Sequence, residues 1–277
     1  MPVDARRLIR KMRGGAQPHL IETSDGHFYV VKFLNNPQHR RILVNEWLGS
    51  AFLNYLGIST PESAIVRVSE EFLRENPEVH IQLGSGRHAV EPGWHFGSRF
   101  PGDPAVNVVY DFLPDTLLSG VENLADFRGT LAFDKWTGNA DSRQSIFCRA
   151  RLKQWLPNTG SHGTRTGFVA HMVDHGFLFE GPHWELKDSP LYGLYFRPMV
   201  YQSIRGLDDF QPWLDRIVHF PEEVVDLAVK QIPAAWIEGE EQALSDLLDR
   251  LLARSRRVPD LIEAGRAGSK ERFPAWR

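Results

Sequence analysis

The 277 residues, 42% hydrophobic and 24% charged, have the composition of a globular chain that can bury a substantial core as one large domain or two lobes. A formal net charge of −3 gives no electrostatic case for direct binding of nucleic acid or of an anionic membrane. No run approaches the ~18 apolar residues of a membrane span, the basic start lacks a signal-peptide core, and the single cysteine excludes an internal disulfide, so the expected location is cytoplasmic.

The first ten residues read as a basic amphipathic stretch, broken by Gly14-Gly15-Ala16-Gln17-Pro18. Such a turn can set backbone N–H groups against phosphates, although Gly-Gly also suits an ordinary flexible turn. The runs His19–Thr23 and His27–Phe33, joined by Ser24-Asp25-Gly26, read as a β-hairpin. Lys32 falls in the apolar strand Tyr-Val-Val-Lys-Phe, where an unpaired lysine is costly. It is therefore either a phosphate ligand or an edge lysine in solvent.

Apolar residues at Val44, Trp47, Leu48, Ala51, Phe52, Tyr55 and Leu56 predict a helix that ends at Gly57. Glu46 lies off that stripe, either facing Lys32 or solvated. Ala64–Val68 reads as a strand, and residues 69–87 as a short helix with a Gly-rich turn. Gly93–Pro104, rich in Trp, Phe and Pro, reads as an irregular aromatic loop. Val106–Leu113 reads as a strand that runs into Pro114, and Leu117–Leu131 as a helix.

Phe133–Phe147 predicts a helix end at Thr137-Gly138, a polar loop presenting Asn139, Asp141, Arg143 and Gln144, then a strand that contains Cys148 as a buried filler. A second strand, Phe168–Val173, ends in Asp174-His175-Gly176. Two adjacent strands closing on these loops would bring Asp141 and Asp174 to one spot; either aspartate alone would merely cap a turn. Between them, Ala150–Thr166 reads as a polar surface loop. Residues 176–213 show little periodicity. Helices follow from Pro221 and over Glu240–Arg254, with Arg254–Arg257 read as solvated charge.

These pieces together resemble the HipA-like kinases, a divergent branch of the protein-kinase-like fold. The resemblance rests on Gly14-Gly15, Tyr-Val-Val-Lys32-Phe, Asn45-Glu46, Leu56-Gly-Ile-Ser-Thr-Pro61, Phe133-Asp-x-x-x-Gly-Asn139-x-Asp141 and Val-Asp174-His-Gly, over roughly residues 10 to 180. It implies an α+β, two-lobed fold: an N-terminal antiparallel sheet lobe with one packed helix (1–113) and a mainly helical C-terminal lobe (114–277). It also implies ATP and Mg²⁺ as cofactors and a phosphate acceptor, with the Ser/Thr hydroxyls of a protein as the expected one.

By motif, Gly14 and Gly15 would cover the phosphates, Lys32 would hold them, and Glu46 would steady Lys32. Tyr110, Asp111 and Phe112 would lie in the connector at the adenine edge. Asp141 would be the catalytic aspartate and Asp174 the magnesium ligand. The kinase pattern has an Asn five residues after the catalytic Asp, and here that position is Ile146. Gln144 is the nearby oxygen donor able to replace it. A pseudokinase that acts as a binding module is therefore the alternative to an enzyme. The chain is too short to hold the extra N-terminal subdomain of the longer HipA toxins, so the resemblance does not imply pairing with an antitoxin. A third reading, a metallohydrolase built on His171-x-x-Asp174-His175, requires a helix where the sequence is β-prone.

Overall fold

The computed structural model describes residues 2–151 and 166–277. The basic opening stretch is a strand, β1 (Val3–Lys11), antiparallel to β2 (His19–Thr23), which pairs with β3 (Phe28–Lys32) across the expected Asp-Gly turn. With β4 (Ser63–Val68) and β7 (Gly93–Arg99) these strands close a barrel in the order β1-β2-β3-β7-β4.

The sheet is not purely antiparallel, because β1 and β4 pair in parallel at Val3–Val66 and Asp4–Arg67. A closed ring of five strands cannot alternate direction all the way round, so one pairing has to be parallel. The predicted aromatic loop is in fact β7, the strand between β3 and β4. Its glycine content hides the strand pattern for a packing reason. A Cβ on Gly97 would lie 2.6 Å from Val66 Cγ2.

Period-two alternation on β3 sends Tyr29 and Val31 into the barrel core, while Val30 and Lys32 face a cleft. Outside the barrel, α2 (Glu70–Glu75) is capped by Ser69, whose Oγ accepts from the Phe72 amide at 3.1 Å. The hairpin β5 (His80–Leu83) and β6 (Gly86–Ala89) follows.

Helix α1 (Arg41–Leu56) ends at Gly57, as predicted. It is buried on nearly every side, and its apolar residues join the core of the C-terminal helices more than that of the barrel. That all-round burial blurs its stripe and places Glu46 inside, 2% exposed.

The predicted strand at Val106–Leu113 contracts to β8 (Val109–Tyr110). These residues alone pair with β9 (Gln144–Arg151), while Val106, Val108 and Phe112 are exposed. The predicted helix 117–131 divides into α3 (Asp115–Leu118) and α4 (Asp126–Thr137), separated by a bridge from Val121 to Phe168. β9 pairs with β10 (Thr166–Val173) in antiparallel register from Arg151–Thr166 to Gln144–Val173. Most of the loop predicted over 150–166 lies outside the described residues, and its ends belong to these strands.

Short turns lead from Gly176 to α5 (Trp213–Val218), α6 (Glu222–Val229), α7 (Ala234–Ile237), α8 (Glu241–Arg254) and α9 (Val258–Gly268). Leu244, Leu247, Leu248 and Leu251 of α8 are buried, as the ladder requires. Arg254 departs from its expected solvated state. It is 7% exposed, pairs with Asp188 and donates to the Leu186 carbonyl. Its position at the C-terminal end of α8, facing a carboxylate, makes burial of the charge tolerable. Among the described residues no helix is long and apolar enough to cross a membrane.

Candidate active site

A cleft of about 370 Å³ opens between the barrel and the β9–β10 sheet. Its lining includes Gly14, Gly15, Lys32, Glu46, Asp141, Gln144 and Asp174. Strand register accounts for the meeting of the last three. Val173 pairs with Gln144, so Asp174 leaves β10 at the level where the loop carrying Asp141 enters β9.

Lys32 Nζ forms an ion pair with Glu46 Oε1 and a second with Asp174 Oδ1 at 2.7 Å. Burial alone would drive Lys32 toward its neutral form, but Asp174 and Glu46 outweigh it and hold the ammonium above its ordinary range. Asp174 is held below the usual carboxylate range, chiefly by Lys32. Glu46 is pushed upward by burial, which Lys32 only partly offsets. The result is a buried cation between one enclosed carboxylate and one that keeps 37% of its side-chain surface exposed.

The Asp174 turn is clipped to α1 by Asn45, next to Glu46. The Asn45 amide nitrogen lies within reach of the carbonyls of Gly176 (2.7 Å), Leu178 (3.0 Å) and Gly181 (2.9 Å), and its oxygen accepts from the Trp184 indole (2.9 Å). The approach is close enough to require glycine on the helix. A Cβ on Gly49 would lie 2.7 Å from His175 Cβ.

Arg143 is the main correction within the polar loop. Asp141 and Gln144 stay exposed at the cleft, but Asn139 is buried at 1% exposure and the Arg143 side chain is likewise 1% exposed. Its guanidinium grips Asp134 through two nitrogens, with Nε to Oδ2 at 2.9 Å. It also donates to the Val173 carbonyl (3.1 Å) and to His175 Nδ1 (2.9 Å). A guanidinium only donates, so His175 Nδ1 accepts and Nε2 carries the proton toward Thr60 Oγ1 (3.1 Å), which donates to the Met172 carbonyl (2.9 Å). Burial, then the Arg143 and Lys32 charges, hold His175 well below its ordinary pKa. Asp134 also receives the Asn139 amide (3.1 Å), whose oxygen accepts from the Asp141 N–H (3.2 Å). One buried arginine thus ties the Asp141 loop to the Asp174 turn.

Composition alone did not single out Asp134, Asn45, Thr60 or His175 for these tasks. The signal available was their place inside the quoted motifs. Tyr110, Asp111 and Phe112 do not line the cleft; Val109 does. Tyr110 packs edge-on to Phe168, and Phe112 lies beneath the Arg197 guanidinium at 4.7 Å. The metallohydrolase reading fails on geometry. His171 sits on a strand between Ser59 Oγ (2.8 Å) and Cys148 Sγ (3.5 Å), and both His175 nitrogens are engaged. Cys148 is buried, which pushes its thiol up to about 11 and removes it as a nucleophile.

Burial lowers His19, His95 and His171 to about 4. Each is neutral in the fold and protonates near 6.5 when unfolded, so the unfolded state binds more protons as pH falls from about 6.5 toward 4. Stability is therefore expected to drop across that window by up to about 1.4 kcal/mol per histidine per pH unit. Urea midpoints at pH 7 and pH 5 check this, and equal midpoints would mean that the histidines are charged in the fold.

No curated protein matches the chain. Among solved structures it is similar to the crystal structure of the Golgi casein kinase with Mn/ADP bound, at 11% identity and a TM-score of 0.49, over 99% of this chain and 75% of that one. The family model for HipA-like kinases matches residues 6–149. That span is more than half of the sequence and contains Gly14, Gly15, Lys32, Glu46 and Asp141; the chain belongs to the HipA-like kinase family.

Proposed function

We propose that the chain is an ATP- and Mg²⁺-dependent phosphotransferase acting on Ser/Thr hydroxyls of a protein in the cytoplasm. In this reading residues 1–113 form the nucleotide lobe and 114–277 the catalytic lobe. The observation that carries it is the Lys32 ammonium joined to Glu46 and Asp174 in a cleft that also holds Asp141. Lys32 binds the α/β-phosphates and Glu46 keeps it in place. Gly14 and Gly15 cover the phosphates, and Asp141 accepts the proton of the acceptor hydroxyl. The adenine edge meets the backbone of Val109, the cleft-lining residue beside the expected Tyr110, Asp111 and Phe112.

The donor set suits a hard cation. Asp174 is anionic and open to the cleft, and Gln144 offers an amide oxygen from the position opposite Val173. Bound there, the metal would neutralise phosphate charge. Ile146 also lines the cleft and brings no oxygen, which favours a second reading as a nucleotide-binding module without turnover.

Asp174→Asn tests the reading more cleanly than Lys32→Ala, because loss of the lysine leaves Glu46 buried without its counter-charge. Thermal shift and calorimetry should show Mg·ATP affinity reduced at least about tenfold by Asp174→Asn. Metal-free adenosine binding should be unchanged. Equal losses for both ligands would mean that the variant only disturbs the fold.

A further inference from the structure

Among the described residues three cationic ones line the cleft: Arg13, Lys32 and Arg99. Lys32 is committed to Glu46 and Asp174. Arg99 is paired with Glu62 and lies against the His27 ring at 3.1 Å. Arg13 has no hydrogen-bond or ion-pair partner among the described residues. It is an exposed side chain immediately before Gly14-Gly15, in the connection from β1 to β2.

That connection is held at its far end. Gln17 donates to the Gln82 carbonyl at 2.6 Å and accepts from the Gln82 amide at 2.8 Å. The segment carrying Arg13 and the two glycines thus lines the cleft from a fixed base. An uncompensated arginine lining the same cleft as Asp141 and Asp174 is poised for an anion.

Phosphoryl transfer spreads negative charge over the equatorial oxygens of the moving group, and catalysis depends on positive charge placed there. Ile146 withholds one oxygen ligand from a metal, so part of that neutralisation has to come from elsewhere. We propose that Arg13 is a further catalytic residue, whose guanidinium binds the terminal phosphate of the nucleoside triphosphate and neutralises it during transfer. The assignment rests on the phosphotransferase reading above.

In the step concerned, the acceptor oxygen forms its bond to the terminal phosphorus as the bond to the bridging oxygen breaks. The nucleoside diphosphate leaves with the electron pair, and the acceptor proton passes to Asp141. Arg13 gains and loses no bond; its two-pronged N–H geometry suits the phosphate oxygens better than a lysine would.

The test is calorimetry on the full chain with Mg²⁺, using ADP and an ATP analogue with a methylene bridge between the β- and γ-phosphates. Wild type, Arg13→Gln and Arg13→Lys are compared. Wild type should prefer the triphosphate analogue, and Arg13→Gln should lose that preference while ADP affinity stays within about twofold. Turnover of ATP should fall on the order of 10²-fold in Arg13→Gln, with partial rescue in Arg13→Lys. An unchanged triphosphate preference in Arg13→Gln overturns the assignment and leaves the nucleotide site standing, as does an equal loss for both ligands. Binding of neither ligand by the wild type overturns both.

Discussion

Replacing Asp141 with Asn is expected to reduce phosphotransfer by about 10²- to 10⁴-fold, the usual contribution of a positioned acid–base group. Nucleotide affinity should change little. The two parts separate because the contacts of Asp141 are local. Its N–H is held by Asn139, its Oδ1 accepts from the Ser142 N–H at 2.7 Å, and its Oδ2 faces the Gln144 amide nitrogen at 3.4 Å. An asparagine occupies the same space and keeps an oxygen for Ser142, so loop and fold survive. What it loses is the ability to take a proton. Single-turnover rates measured beside ADP calorimetry decide the matter. Phosphotransfer unchanged in Asp141→Asn would remove Asp141 from the reaction. A wild type that binds nucleotide but never turns it over, at any Mg²⁺ or Mn²⁺ concentration, would make the chain a binding module, with Ile146 as the physical reason.

The Arg143→Met substitution should destabilise the fold by about 3–5 kcal/mol, because it strands the Asp134 carboxylate in a site with 0% side-chain exposure. Asp134→Leu with Arg143→Met should recover most of that loss, since a matched apolar pair leaves no buried charge behind. Urea denaturation of both single variants and the double closes the cycle. Single effects that simply add would show that the pair is not coupled. Recovery of stability is not expected to restore activity. Arg143 also fixes the Val173 carbonyl and His175, so the double variant should stay folded and still turn over poorly, Asp174 having lost its anchored approach.

Local signals carried much of this molecule. The Asp-Gly hairpin, the Gly57 and Gly138 helix ends, the leucine ladder of α8 and the two strands flanking the Asp141 and Asp174 loops each depend on turn chemistry or short-range periodicity, which a sequence displays directly. So does the order of Lys32, Glu46, Asp141 and Asp174, because a motif is a local pattern whatever its distant partners. Where the pattern depends on what lies opposite, the sequence is silent. Val106–Val108 alternates like a strand, yet it found no partner on β9 beyond Val109 and Tyr110. Gly93–Arg99 lacks a strand's composition because Val66 leaves no room for a side chain at Gly97. The parallel β1–β4 pairing follows from closing an odd ring, a constraint no strand carries individually. The Arg143 fate was decided in the same way. A charged residue in a polar loop belongs in water unless the fold sets a carboxylate, a carbonyl and a neutral imidazole around it, and those three come from α4, β10 and the turn after it. Burial energy is settled by the complete set of neighbours, and only the tertiary structure assembles that set.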